Sequence, residues 1–123
     1  MPLSMMDRVL ACSDDSIATE KAVTGREKYF QDHFPQYPVL PGVLMLEGLA
    51  QAAGAWIRKT EGFIRSQTRL TRLQSAKFNE LVRPPALMRF ECRLDKREQN
   101  RYEFQGKAFA DGKPVMAARF EIE

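Results

Sequence analysis

The stretch PGVLMLEGLAQAAGAWIRKTEG, residues 41–62, decides the fold. A proline and a glycine stand at its start, strong helix formers fill it, and Arg58 and Lys59 come just before the closing glycine. These are the usual signals for the beginning and end of a helix. The pattern therefore predicts one long helix.

Almost every side of this helix is apolar, and six of the eight residues from Gly48 to Ala55 are glycine or alanine. A helix that is apolar all round is typically buried. The small residues would let another backbone approach it closely. We therefore expect other parts of the chain to wrap around this helix.

The rest of the chain alternates as strands do. Met88, Phe90, Cys92 and Leu94 are apolar and the residues between them are polar, which is the period of a half-buried strand. A turn at residues 99–100 and the Asp111-Gly112 pair then predict a three-stranded meander. Further strands are predicted at residues 5–12, 16–24 and 69–78. The fold class is α+β, with an antiparallel sheet wrapped around one long central helix.

Length and composition favour one domain over residues 1–123, with 44% hydrophobic and 28% charged residues. No apolar run reaches the roughly 18 residues that a membrane span needs, and the amino terminus does not resemble a secretory signal. We expect a cytoplasmic protein that binds no membrane. Cys12 and Cys92 are expected to be buried, and they provide too few ligands for a structural metal site.

Charge is unevenly distributed along the chain. Residues 58–101 carry twelve basic and five acidic side chains, a net charge of +7, although the whole chain carries only +3. This basic zone could attract an acidic partner, or it could be an ordinary solvated face of strands. Nucleic acid is not expected as a partner, because the arginines have no interleaved aromatic residues and no recognisable binding motif.

Two polar residues stand out near the helix start. Glu47 lies within the apolar run. Burial without a partner favours the protonated form of a carboxylate, which can act as an acid. The alternative is that Glu47 reaches solvent at the rim of the helix. His33 is the only histidine, and histidine exchanges protons near neutral pH, although a loop histidine is often merely exposed.

The segment between His33 and the helix has prolines at 35, 38 and 41, which restrict its conformations and so position its side chains. It delivers Pro41 and Gly42 to the helix start, where unpaired backbone N–H groups could polarise a carbonyl oxygen. A base, an acid and an oxyanion donor suit proton removal beside a carbonyl with loss of a nearby hydroxyl. Dehydration of a 3-hydroxyacyl thioester, or its reverse, is such a reaction.

The stretch HFPQYPVLPGVLMLEGLAQAAG, residues 33–54, resembles the signature of the FabZ-type 3-hydroxyacyl-[acyl-carrier-protein] dehydratases of the hot-dog fold. MMDRVL, AKFNELVRPPALM and FADGKPVMAARFEIE resemble other parts of that family. The resemblance implies a homodimer or a trimer of dimers, an acidic acyl carrier protein as partner, and a substrate carried on phosphopantetheine. It implies no cofactor and no metal.

Residue by residue, the resemblance assigns His33 as catalytic base and Glu47 as catalytic acid. Gly42 and Val43 match the positions whose N–H groups polarise the thioester carbonyl. The resemblance also implies that His33 of one protomer works with Glu47 of the other. Phe34, Pro41 and Gln51 are expected to contact the substrate.

Two other functions remain open. A hot-dog acyl-thioesterase would use a carboxylate on the central helix to activate water, but it has no comparable need for His33. A noncatalytic subunit that binds acyl groups or carrier protein in a specialised pathway is the second alternative.

Overall fold

The computed structural model describes residues 4–27, 30, 38–61 and 68–123. Within them one helix and six strands follow one another along the chain. Their bounds are β1 Arg8–Cys12, β2 Ser16–Val23, α1 Gly42–Glu61, β3 Leu70–Phe78, β4 Ala86–Glu98, β5 Arg101–Ala110 and β6 Lys113–Ile122.

The six strands form one antiparallel sheet in the order β1-β2-β4-β5-β6-β3. Strands β4, β5 and β6 are the predicted meander, joined by tight turns in which Gln99, Asp111 and Gly112 have positive φ. Strand β3 follows the helix and pairs with β6, at the far edge from β1. The two edge strands thus come from separate parts of the chain.

Helix α1 lies against the central strands β2, β4, β5 and β6, and the core fills the space between helix and sheet. The inward side chains of β4 are those predicted by alternation, and Met88, Phe90 and Cys92 are all buried. Trp56 of the helix makes edge-to-face contacts with Tyr102 and Phe104, with ring centroids 6.3 and 5.8 Å apart. Its indole N–H donates to the carbonyl of Ser13 at 3.0 Å, so this large side chain is buried without an unpaired donor.

Close approach of helix and sheet depends on Gly48. A Cβ at this position would overlap the ring of Phe90 on β4, since it would lie 2.6 Å from two of the ring atoms. The small residues of the helix therefore do what their spacing predicts, and let the sheet lie against the helix backbone.

The predicted α+β architecture is confirmed, with element bounds within three residues of those expected. The sheet wraps the side of α1 that carries its buried residues, and Val43 and Glu47 on the opposite side are exposed in the single chain, so Glu47 reaches solvent at the helix rim. One sheet covers only one side of a helix. Cys12 was expected to be buried but is exposed on the edge strand β1, whereas Cys92 is buried as predicted.

Candidate active site

The start of helix α1 presents two backbone N–H groups that donate to no described residue. The carbonyl of Pro41 accepts hydrogen bonds from the N–H groups of Leu44 and Met45, at 3.0 and 3.4 Å. Within the described residues, nothing accepts a hydrogen bond from the N–H of Gly42 or of Val43. These N–H groups lie at the positive end of the helix dipole and can donate to a carbonyl oxygen.

The segment that leads into the helix is held by the core. Leu40 is buried, and its N–H donates to the carbonyl of Val82 at 2.8 Å. The ring of Phe78, at the end of β3, lies against Gly42, where a Cβ would come within 2.6 Å of it. The two unpaired N–H groups therefore have a fixed direction relative to the sheet.

Glu47 lies on the face of α1 that the sheet leaves open. It is four residues after Val43 and four before Gln51, so these three side chains share one face. The side-chain amide of Gln51 donates from Nε2 to Glu47 Oε2 at 2.8 Å. On its other side, Gln51 Oε1 accepts from the N–H of Met5 at 2.7 Å, and Met5 is fully buried. Gln51 therefore orients the carboxylate and ties it to the segment before β1.

His33 and Phe34 lie outside the described residues, so their positions relative to Glu47 remain predictions. The described stretch of residues 4–27 ends in a turn that Glu27 stabilises. The Glu27 carboxylate accepts hydrogen bonds from the N–H groups of Thr24 and Gly25 at 3.0 and 2.9 Å. Burial alone would raise the pKa of Glu27, but these hydrogen bonds and one from the Thr24 hydroxyl hold that pKa below its usual value.

A cavity of about 750 Å³ opens along the exposed face of the helix, with Glu47 and Gln51 among its lining residues. The other lining residues are Ala50, Arg58, Thr68, Arg69, Leu70, Ile122 and Glu123. Two of the predicted site residues, Glu47 and Gln51, therefore line the same cavity. Gly42, Val43 and Pro41 line a separate, smaller depression beside Phe78 and Leu81.

Sequence reasoning missed Arg58 and Thr68. Arg58 could have been found, because it lies eleven residues after Glu47, close to three full turns, and so on the same helix face. Thr68 carries no such signal, since its place beside the helix depends on how β3 returns to the sheet. Arg58 and Arg69 bring positive charge to a cavity whose other end carries Glu47.

No group of three or more histidine, cysteine, aspartate or glutamate residues within the described ranges is arranged to hold a metal ion. Nor does the described helix have the length and apolar character needed to cross a membrane.

Comparison with known proteins identifies the family. A family model described as the FabA-like domain matches residues 1–119. The chain belongs to the FabA-like family. It is 37% identical over 118 residues to a protein of Lactobacillus helveticus named 3-hydroxyacyl-[acyl-carrier-protein] dehydratase FabZ, covering 95% of this chain and 80% of that protein. A protein of the same name from Lactiplantibacillus plantarum is 41% identical over 100 residues, covering 80% of this chain and 68% of its own length. The predicted resemblance to FabZ-type dehydratases is confirmed.

Solved structures agree on the fold. The dehydratase heterocomplex ApeI:P from Xenorhabdus doucetiae contains a chain that superposes with a TM-score of 0.78 at 18% identity, covering 97% of this chain and 81% of that one. A hypothetical thioesterase protein with coenzyme A from Streptococcus pneumoniae superposes with a TM-score of 0.70 at 9% identity, covering 94% and 85%. At these identities the likeness shows the hot-dog fold alone.

Proposed function

We propose that this protein is a 3-hydroxyacyl-[acyl-carrier-protein] dehydratase, which converts (3R)-3-hydroxyacyl thioesters to trans-2-enoyl thioesters and water in fatty-acid or related biosynthesis. The observation that carries the proposal is the position of Glu47 on the open face of α1, held by Gln51, just beyond the unpaired N–H groups of Gly42 and Val43. The relatives named FabZ support the same reaction.

In the proposed mechanism His33 removes the proton from the carbon next to the thioester carbonyl. The N–H groups of Gly42 and Val43 stabilise the negative charge that develops on the carbonyl oxygen. The bond to the 3-hydroxyl then breaks, and Glu47 donates the proton that lets the hydroxyl leave as water. The reverse reaction adds water by the same steps. Phe34, Pro41 and Gln51 remain predicted substrate contacts.

We further propose a dimer in which each site takes His33 from one protomer and Glu47 from the other. Every residue of β3 from 71 to 78 is exposed, including Leu73 and Phe78, and one edge of this strand pairs with none of the other described strands. An exposed edge strand is a template for pairing with another strand. Val43 is also 68% exposed, so a second copy could cover both the strand and the open helix face. A trimer of such dimers remains a prediction.

An acidic acyl carrier protein is the proposed partner, with the substrate held on its phosphopantetheine arm. Several arginines of the basic zone are already paired, as Arg97 is with Glu61 and Arg101 with Glu121. Arg93 on β4 lies outside the strand proposed for dimerisation, is exposed, and has no acidic partner among the described residues, so it can contribute to attraction of the carrier. The mechanism requires only protein groups, and we propose no cofactor. A single domain and a cytoplasmic location also remain predictions.

The test is to mix the purified protein with 3-hydroxyacyl and enoyl carrier-protein thioesters and to follow the gain or loss of water by mass spectrometry. We expect interconversion by the wild type and a loss of about 10²-fold or more in His33→Ala and in Glu47→Gln, the usual size of general acid–base contributions. Glu98→Gln is the matched control, because Glu98 is an exposed acid that pairs only with Lys96 within the described chain.

Three outcomes would contradict the proposal. Wild-type protein without turnover would favour the noncatalytic binding subunit. Release of free acid would identify a thioesterase. Full activity in both His33→Ala and Glu47→Gln would leave the proposed residues without a role.

A further inference from the structure

The cavity beside Glu47 continues along the helix face past Gln51, toward Gly54 and Arg58. Gly54 lies seven residues after Glu47, which is about 10 Å along the axis at about 1.5 Å per residue. This open stripe is therefore long enough to hold an extended acyl chain whose reacting end lies at Glu47.

The far end of the stripe is polar. A Cβ at position 54 would lie 2.5 Å from Thr68 Oγ1 and 3.3 Å from an Nη atom of Arg58, so both side chains lie directly over Gly54. The arginine points back toward the helix start, as long helical side chains do. An acyl chain that follows the groove from Glu47 would therefore meet the guanidinium of Arg58 and the hydroxyl of Thr68. A groove built for plain alkyl chains would instead end in apolar side chains.

Arg58 also has no acidic partner within the part of the chain that the structure describes. It is half-buried in the single chain, and none of the described acidic side chains forms an ion pair with it. Glu123 lines the same cavity, but its carboxylate forms no ion pair with Arg58 and lies 4.0 Å from Arg101. Burying an unpaired guanidinium against hydrocarbon is costly, whereas a carboxylate can accept two parallel hydrogen bonds from it.

We propose that Arg58, with Thr68 beside it, forms an anion-binding subsite at the far end of the acyl groove, and that this subsite selects acyl chains that end in a carboxylate. The inference rests on the proposed function, which places the thioester at Glu47 and so sets the direction of the acyl chain along the groove. Arg58 is then a residue that determines specificity and touches the end of the substrate remote from the reaction.

Binding measurements test this subsite without requiring turnover. Unreactive acyl-pantetheine amides would be prepared in pairs of equal length, ending in a methyl group or in a carboxylate, over a series of lengths. Isothermal titration calorimetry would give the affinity of the whole protein for each. At the best length we expect the carboxylate-ended ligand to bind about tenfold or more tightly, the size of one good charge-assisted contact.

Arg58→Gln should abolish this preference, and Arg58→Lys should retain part of it, because lysine keeps the charge without the planar fork. Lys59→Gln is the matched control, since Lys59 is the adjacent cation, is exposed, and does not line the cavity. The ratio of kcat/KM for the two kinds of substrate should change in the same direction as the affinities.

Other results would overturn the inference. Equal affinity of the wild type for both ligands at every length would show that there is no such subsite. If Arg58→Gln weakened the binding of phosphopantetheine ligands but not of pantetheine ligands, the guanidinium would bind the phosphate of the carrier arm instead of the end of the acyl chain. If Arg58→Gln weakened the binding of both ligands equally and also weakened the dimer, Arg58 would instead pair with an acidic side chain of the second copy. If the protein showed the expected binding preference but no turnover, the result would count against the proposed function and leave the subsite standing.

Discussion

At the scale of single residues, Gln51 joins the acid of the proposed site to the core. Its amide donates to Glu47 and accepts from the N–H of the buried Met5. Replacement by leucine would leave that N–H without its acceptor, which costs about 1 to 3 kcal/mol of the free energy of unfolding. It would also release the Glu47 carboxylate.

We therefore expect Gln51→Leu to lower stability and to lower kcat more than it raises KM. Urea denaturation and steady-state kinetics measure the two effects. Gln105→Leu is a suitable control, because the Gln105 amide donates to Asp95 at 2.9 Å on the exposed surface of the sheet, away from β3. An unchanged kcat in Gln51→Leu would show that Glu47 does not depend on this contact.

The two cysteines differ in reactivity for a reason visible in their surroundings. Burial raises the pKa of the Cys92 thiol well above its usual value, and its Sγ lies 3.3 Å from the carbonyl of Leu49. The thiolate is the reactive form of cysteine, so Cys92 should be inert in the folded protein. Cys12 is exposed on β1.

A thiol reagent such as dithionitrobenzoate should therefore label Cys12 rapidly in the native protein and Cys92 only after unfolding. Released thionitrobenzoate measures the extent of labelling, and a Cys12→Ser variant should show almost none under native conditions. Rapid labelling of that variant would contradict the burial of Cys92.

At the scale of elements, the contact between α1 and β4 depends on the absence of a side chain at Gly48. Alanine is the better helix former by about 1 kcal/mol, so in an isolated helix Gly48→Ala would be stabilising. Here the added Cβ overlaps the ring of Phe90, which is fully buried, and overpacking a core costs about 1 to 3 kcal/mol.

We expect Gly48→Ala to lower the free energy of unfolding, as measured by urea denaturation. Phe90→Leu would open space for the new methyl group, so a double-mutant cycle should show that the two changes are less harmful together than their sum predicts. Strict additivity would indicate that the helix and β4 shift apart without strain.

The elements themselves were largely predictable. Helix signals predicted residues 41–62 and α1 is Gly42–Glu61, and alternation predicted which side chains of β4 and β5 point inward. These features are local, because they depend on periodicity and turn chemistry. The position of β3 beside β6 was not predictable in this way, since it depends on pairing between distant parts of the chain.

At the scale of the whole molecule, the proposed shared site makes an unusual prediction. His33→Ala and Glu47→Gln should each be inactive, but a dimer that contains one copy of each would have one intact site out of two. If the two variants are unfolded together and refolded in equal amounts, about a quarter of wild-type activity should return, because half of the dimers are mixed.

Activity after co-refolding, normalised to dimer measured by analytical ultracentrifugation, tests this expectation. Each variant refolded alone is the control. Lack of recovery despite mixed dimers would place both residues of a site in one protomer, and a monomeric wild type would contradict the dimer itself.

What the sequence alone determined is the architecture and the family: a long helix of small and apolar residues, alternating strands around it, and the motif that begins at His33. These features are encoded by neighbouring residues and by a recognisable pattern, so they do not require coordinates. The tertiary structure decided which surfaces remain uncovered. It exposes Glu47 on the helix face, aligns Arg58 and Thr68 over Gly54, and leaves β3 as an open edge. Those outcomes depend on how one sheet layer covers one side of a helix, a property of packing between distant residues that no local pattern specifies.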